Sequence, residues 1–221
     1  MASDVTIANL ALLKLGKQRI SSFAETNLIA GIFAEFYAPW RDSLQRLGWN
    51  FTKKFAVIAA DADQPPFEYT FQFTVPDDFL GLRVAGPANP PGNLPSGSSP
   101  APPPPPVLGA PGVNLSNYNN AVYRDYEVVG RKIYTNLFGP LSIVYSARVT
   151  DPTQFDAYFV EAFACYMAMQ ACEMITGSNA KFPRMAQMYD EALKVARKWN
   201  ALENAPATIP DDTFMLARVG N

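Results

Sequence analysis

Between Gly86 and Ser116 the chain carries eleven prolines, at positions 87, 90, 91, 95, 100, 102–106 and 111, together with five glycines. Proline fixes φ and removes a backbone donor, so neither a helix nor a central strand can run through such a stretch. Regular structure has to be built on either side of it. No charged residue lies between Arg83 and Arg124, and residues 102–106 read as a polyproline II rod of about 15 Å. Composition alone makes the segment a linker. The other reading is an arm laid against a neighbouring chain, with Leu94, Pro104, Val107 and Leu108 as its contact residues.

A length of 221 residues suits one body with an appendage, or two small layers sharing a core. Lys and Arg number 18 against 20 Asp and Glu, a net charge of −2, and charged residues make up only 17% beside 48% apolar ones. So little charge leaves apolar surface that neighbouring chains would have to cover. Histidine is absent, which excludes Ser-His-Asp and Cys-His catalysis and every histidine-containing metal site. Cys165 and Cys172 fall on one expected helix, about 10 Å apart along its axis, too far for a disulfide. They read as buried apolar residues. The opening residues lack the basic and apolar regions of a secretory leader, and the longest charge-free run in the most apolar stretch, between Glu161 and Glu173, is shorter than a membrane span. The expectation is a soluble chain that folds in a cytoplasm.

Helical periodicity frames both ends. Ser3 is placed to cap a first helix that ends at Leu15, with Gly16 at the left-handed position beyond it. From about Thr26, apolar residues from Leu28 to Leu47 recur at three and four, with Pro39 inside the run predicting a kink. Asp151-Pro152-Thr153-Gln154 has capping-box register before an apolar helix from Phe155 to about Ile175. A last amphipathic helix, from about Ala180 to Ala201, places Phe182, Met185, Tyr189, Ala192, Ala196 and Trp199 on one face and pairs Asp190 with Lys194 on the other. In the middle the period changes to two: Tyr69, Phe71 and Phe73 alternate with polar residues, as do Leu141, Ile143, Tyr145 and Ala147 with Ser142, Val144, Ser146 and Arg148. Tyr126–Val129 and Lys132–Thr135 flank Gly130-Arg131, which suits a type II′ hairpin.

The expected fold is α+β. It is mostly a helical bundle of about four helices, with residues 1–49 and 150–201 forming the bundle. Residues 50–149 form an inserted small antiparallel β domain carrying the Pro-rich loop 86–116, and 202–221 form an extended tail.

Little in the chain points to chemistry. The close carboxylates Asp61 and Asp63, Asp77 and Asp78, and Asp211 and Asp212 stand in turn-like, proline-flanked contexts. Glu161, isolated on an apolar helix, is the best candidate acid for a carboxylate-dependent hydrolase, because burial would raise its pKa. There is no phosphate-binding glycine loop and no Cys-x-x-Cys. Charge is spread, +3 over residues 1–54, −3 over 55–147 and −2 over 148–221, so no basic stripe marks a nucleic-acid grip. Lys181, Arg184, Lys194, Arg197 and Lys198 gather on the last helix and read as a solvated face or a contact between subunits. No catalytic, cofactor or metal site is expected.

One set of residues, in order, resembles a known family. Ala8, Leu12, Leu15-Gly16, Ile20-Ser21, Glu25, Tyr37, Arg41-Asp42, Leu44, Trp49 and Phe51, then Phe71 to Val75-Pro76-Asp77-Asp78-Phe79, are similar to the head-to-tail adaptors of tailed phages, the tail tubular protein A family. Tyr145, Asp151-Pro152, Phe155-Asp156 and Phe159, opening an Ala-rich helix, resemble its second half. The likeness covers roughly residues 4–85 and 121–200. It implies a helical bundle with an inserted β domain, assembled as a dodecameric ring between the portal protein and the tail nozzle or tube, with DNA passing through the lumen. Tail fibres are a further neighbour to consider, and no membrane is involved. The family is not enzymatic and brings no catalytic residues. Its C-terminal extension reaches the portal or a neighbouring subunit, a role that falls here to Phe214, Met215, Leu216 and Arg218; the Pro-rich loop departs from the family pattern. The location implied is the virion, at the head-tail junction, after synthesis in the host cytoplasm.

Two other readings remain open. One is a virion-associated, carboxylate-dependent cell-wall hydrolase using Glu161. The other is a peptide-binding module that presents its proline arm to an aromatic groove.

Overall fold

The structure, a computed structural model, describes residues 3–65, 68–87, 126–137 and 139–203. Four α-helices and six strands follow in the order α1 (Asp4–Leu15), α2 (Leu28–Gln45), β1 (Lys53–Ile58), β2 (Phe71–Thr74), β3 (Phe79–Pro87), β4 (Tyr126–Val129), β5 (Lys132–Thr135), β6 (Leu141–Ala147), α3 (Ala157–Thr176) and α4 (Phe182–Leu202). This is the α+β composition expected. The strands form two antiparallel three-stranded sheets, ordered β1-β6-β3 and β2-β5-β4. Most of the Pro-rich loop, with Leu94, Pro104, Val107 and Leu108, lies outside the described residues, as does nearly all of the tail, with Phe214, Met215, Leu216 and Arg218.

The chain divides into two compact units. The first holds residues 1–55, 76–83 and 144–205, the second residues 56–75, 84–143 and 206–221. All four helices belong to the first, together with segments 76–83 and 144–149 from the stretch that reads in the sequence as the β insertion.

Local signals explain how the first unit's helices begin and end. Ser3 accepts from the Thr6 N–H, and Gly16, at φ 70°, closes α1 with N–H bonds to the Leu12 and Leu13 carbonyls. Asn27 caps α2 through Ala30 N–H, a residue later than the periodicity suggests, and the helix continues through Pro39 to Gln45. The start of α3 corrects the sequence reading. Asp151-Pro152-Thr153-Gln154 builds only a short 3-10 turn, Pro152–Gln154, after which Phe155 is extended (φ −75°, ψ 135°). The helix is capped instead by Asp156, whose carboxylate accepts from the Tyr158 and Phe159 N–H groups. Capping-box spacing is satisfied by one turn of any helix type, so it does not fix where the longer helix starts.

The core of this unit is α3. Phe159, Ala162, Phe163, Met167, Ala168, Ala171 and Cys172 are all sealed from solvent, with Ile7, Ala8, Leu12, Leu15, Phe33, Tyr37 and Leu44 around them. Phe159 is the hub of an aromatic cluster. Ring centroids of Phe51, Trp49 and Phe155 lie 4.8, 5.1 and 5.2 Å from it, with interplanar angles of 69–75°, the edge-to-face geometry that ring quadrupoles favour. Two polar side chains at the edge of the core find partners: Trp49 Nε1 donates to the Leu44 carbonyl at 2.7 Å, and Arg83 donates to Ser146 Oγ, Thr52 Oγ1 and the Trp49 carbonyl.

In the second unit, β4 and β5 form the expected hairpin, with Val129 opposite Lys132. Gly130 is at φ 61°, and no positive φ occurs at Arg131, as a type II′ turn requires. Phe73 faces Ile133 across β2 and β5, and both are fully buried, as are Leu141 and Ile143 at the start of β6. Asp61 ties the sheet edge together, its N–H donating to the Gln72 carbonyl at 2.9 Å while its carboxylate accepts from Thr74 and Lys132.

Candidate functional site

Helices α3 and α4 are joined by the short connection 177–181 and pack along their length, with Tyr158 stacked on Trp199 and Tyr166 beside Tyr189. Residue numbers rising on one helix and falling on the other mark an antiparallel hairpin. Gly177, at φ 66°, ends α3, and Lys181 Nζ reaches the Leu15 carbonyl at the C-terminal end of α1 at 2.8 Å, where a cation is favoured by the helix dipole.

Along α4, Met185, Met188, Ala192, Val195, Trp199 and Leu202 recur at alternating intervals of three and four, which lines them up on one stripe. The stripe is not uniformly covered. Met185 is buried and Met188 and Ala192 are half-buried, whereas Val195, Trp199 and Leu202 are 46%, 45% and 64% exposed. Tyr158, itself 40% exposed, lies flat against Trp199 with centroids 5.5 Å apart and 4° between the rings. Beside this stripe is an open groove of about 340 Å³ lined by Tyr158, Glu161, Cys165, Met188, Glu191, Ala192 and Val195. Its walls are apolar and its rim carries two carboxylates. Such a surface buries apolar area against another macromolecule more readily than it encloses a small ligand.

Glu161 is in this groove, though not as a buried acid. Its side chain is 52% exposed and bound to Lys14 Nζ at 2.5 Å, so the desolvation expected from an apolar helix does not occur. Burial pushes the Lys14 ammonium down, but its bond to Glu161 and its proximity to Cys165 outweigh that and hold it above the usual lysine value. Cys165 Sγ lies 3.9 Å from Glu161 Oε1, and burial keeps the thiol above its ordinary pKa, the opposite of what a nucleophilic cysteine needs. Both cysteines are free and buried.

The paired carboxylates are held by structure. Burial pushes Asp61 up, but bonds from Lys132 and Thr74 overcome it and leave the carboxyl below the usual range. Asp78 behaves alike: burial is outweighed by Lys54 Nζ at 2.7 Å and the Tyr145 hydroxyl at 2.9 Å. Asp211 and Asp212 lie outside the described residues. Of the basic group on α4, Lys194 pairs with Asp190 at 2.5 Å, as the spacing predicts. Among the described residues no cluster of Cys, Asp and Glu could hold a metal ion, and no helix is long and apolar enough to cross a membrane.

Of the residues that carry the phage-adaptor resemblance, Phe71 to Val75 belong to the second unit and the others named to the first. Tyr37 and Phe163 rings are 5.2 Å apart, Asp42 binds both Arg41 and Arg148, and Asp78 accepts from Tyr145, whose ring stacks on Phe79. No protein-family model matches the chain, and no curated protein matches it. Sequence reasoning missed the exposed stripe because Val195 and Leu202 are ordinary members of an amphipathic helix; the three-four spacing that continues to Leu202 is the signal for it.

Proposed function

We propose that the chain is a structural head-to-tail adaptor of a tailed-phage virion, forming a ring between portal and tail nozzle through which DNA passes, and contributing no chemistry of its own. The observation that carries this reading is the bare half of the α4 stripe. A helical unit with an otherwise continuous core leaves Val195, Trp199, Leu202 and Tyr158 open together, as suits a protein finished by neighbouring copies. The ordered motif residues support the same reading, since several of them meet in the folded chain: Trp49 and Phe51 pack on Phe159, and Tyr145 bonds to Asp78. A net charge of −2 without a basic stripe suits a conduit, because a basic lumen would hold DNA in place.

In this reading the Pro-rich arm, with Leu94, Pro104, Val107 and Leu108, and the tail, with Phe214, Met215, Leu216 and Arg218, are extensions that engage neighbouring subunits, the portal or the tail tube. Mixing the purified chain with a portal protein and measuring the mass of the product by size exclusion with light scattering tests it. A ring recruited onto the portal is expected. A portal that leaves the chain as it was removes the proposal.

A further inference from the structure

The bare half of α4 has a counterpart on α2. The outward face of α2 presents Leu28, Gly31, Glu35 and Ala38, again spaced three, four and three, with Ala34 beside them, and all five are exposed. Leu28 is 73% exposed, and a Cβ added at Gly31 would meet nothing within 4 Å. The middle of this face is therefore nearly smooth, while the exposed stripe on α4 is a row of bulky side chains. A ridge of large residues fits a face of small ones at the close interaxial distance that helix packing favours, and equal periods keep the fit in register. Charge agrees with shape. Lys198 stands between Val195 and Leu202 on the flank of the α4 stripe, and Glu35 stands in the α2 face; both are exposed.

We infer that the α4 stripe of one copy docks on the α2 face of a second copy, with Val195, Trp199 and Leu202 over Gly31, Ala34 and Ala38 and with Lys198 opposite Glu35. The two patches are different surfaces of the same chain, so the contact is heterologous and a docked pair keeps one free patch of each kind, α2 on one copy and α4 on the other. Repetition closes into a ring or extends as a filament. The inference rests on the adaptor reading only for the choice of a ring; the contact itself stands on the shape and charge of the two faces.

Cross-linking of the whole chain tests it. Cys165 and Cys172 are free, and Cys165 lines the same groove as Val195, so the test uses a chain with Cys165→Ala and Cys172→Ala, in which an introduced thiol reports alone. Concentrated chains carrying Val195→Cys are mixed with equal amounts of chains carrying Ala34→Cys and oxidised. The expected product is a mixed dimer, at a yield about tenfold above either variant alone, and a chain carrying both substitutions forms a ladder of multimers. Lys198→Glu or Glu35→Lys alone should lower the yield several-fold, and the two reversed charges facing each other across the mixed pair should restore it. Absence of the mixed product, or a Val195–Val195 product that dominates, overturns the inference. Portal recruitment separates the two claims: cross-linking without recruitment keeps this contact and removes the adaptor reading, whereas recruitment without cross-linking does the reverse.

Discussion

Gln45 and Val149, 104 residues apart in the chain, exchange two buried hydrogen bonds: the Gln45 amide donates to the Val149 carbonyl at 2.8 Å and accepts from the Val149 N–H at 3.0 Å. The glutamine side chain acts as a piece of partner strand. It satisfies the backbone just beyond β6, where no strand is available, and fastens the end of α2 to the segment leading into α3. Replacing it with alanine leaves a buried donor and a buried acceptor unmatched, so Gln45→Ala should lower stability by about 2–4 kcal/mol in urea unfolding. A loss below about 1 kcal/mol would show that water takes over both bonds.

Trp199 and Phe159 set a contrast between assembly and core. Phe159 is fully buried at the centre of the aromatic cluster, and Phe159→Ala should cost about 3–5 kcal/mol. Trp199→Ala, at a site 45% exposed, should change the stability of the isolated chain by less than about 1 kcal/mol and, under the proposed function, abolish incorporation into the proposed ring. Thermal unfolding and portal recruitment measured on the same samples separate the two effects.

Removing the groove carboxylate tests the hydrolase reading. Glu161→Gln removes the charge from a pair whose acidic partner is 52% exposed but whose basic partner, Lys14, is only 15% exposed; the new amide oxygen can still accept from the Lys14 ammonium, so stability should fall by about 1 kcal/mol. Zymograms of wild type and variant on cell-wall substrate should both remain uncleared. Clearing by the wild type that is lost in the variant would make the protein an enzyme.

Acid and alkali should each weaken the contact between Asp78 and Tyr145. The Asp78 carboxyl is held below its usual value of 3.8 in the folded chain, so its contribution is present above that pH and fades as pH falls through the lowered folded value. Burial, then the bond to Asp78, pushes the Tyr145 hydroxyl up to about 12. The folded state therefore binds the proton more tightly, and stability is lost as pH rises from 10 through 12. Stability against pH for Tyr145→Phe should lose part of the alkaline slope; an unchanged slope would place the titration elsewhere, for example at Tyr37, which burial also raises.

Helix starts show where the sequence was legible and where it was not. Ser3, Gly16 and Gly130 were readable because each meets a local requirement, a cap or a left-handed residue, that no distant contact can override. The alternation in β6 was readable because its inner residues Leu141, Ile143, Tyr145 and Ala147 are all buried. Strands β1 and β3 were not, since Lys53, Lys54 and Phe55 are exposed one after another and β3 is half-buried along most of its length; their pairing comes from neighbours far along the chain, and one expected sheet became two. Asp151, in capping-box register, reads as the cap, yet Asp156 opens the long helix, whose first turn brings Phe159 onto Phe51 beside Phe155. Asp156→Ala should accordingly cost about 1 kcal/mol in unfolding experiments, and Asp151→Ala distinctly less. In the candidate site, Glu161 was located by its isolation on α3, but its partner Lys14, 147 residues away, follows only from how α1 lies on α3.

The graded covering of α4 sets a trade between folding and solubility. Its periodic side chains work as interior at the Met185 end and as open surface at the Leu202 end, so polar replacements that would make the chain easier to keep in solution fall on the residues that the proposed contact uses. Drift toward a more soluble solitary molecule would thus erode its capacity to join others, whereas replacements near Met185 would be eliminated earlier, as failures to fold.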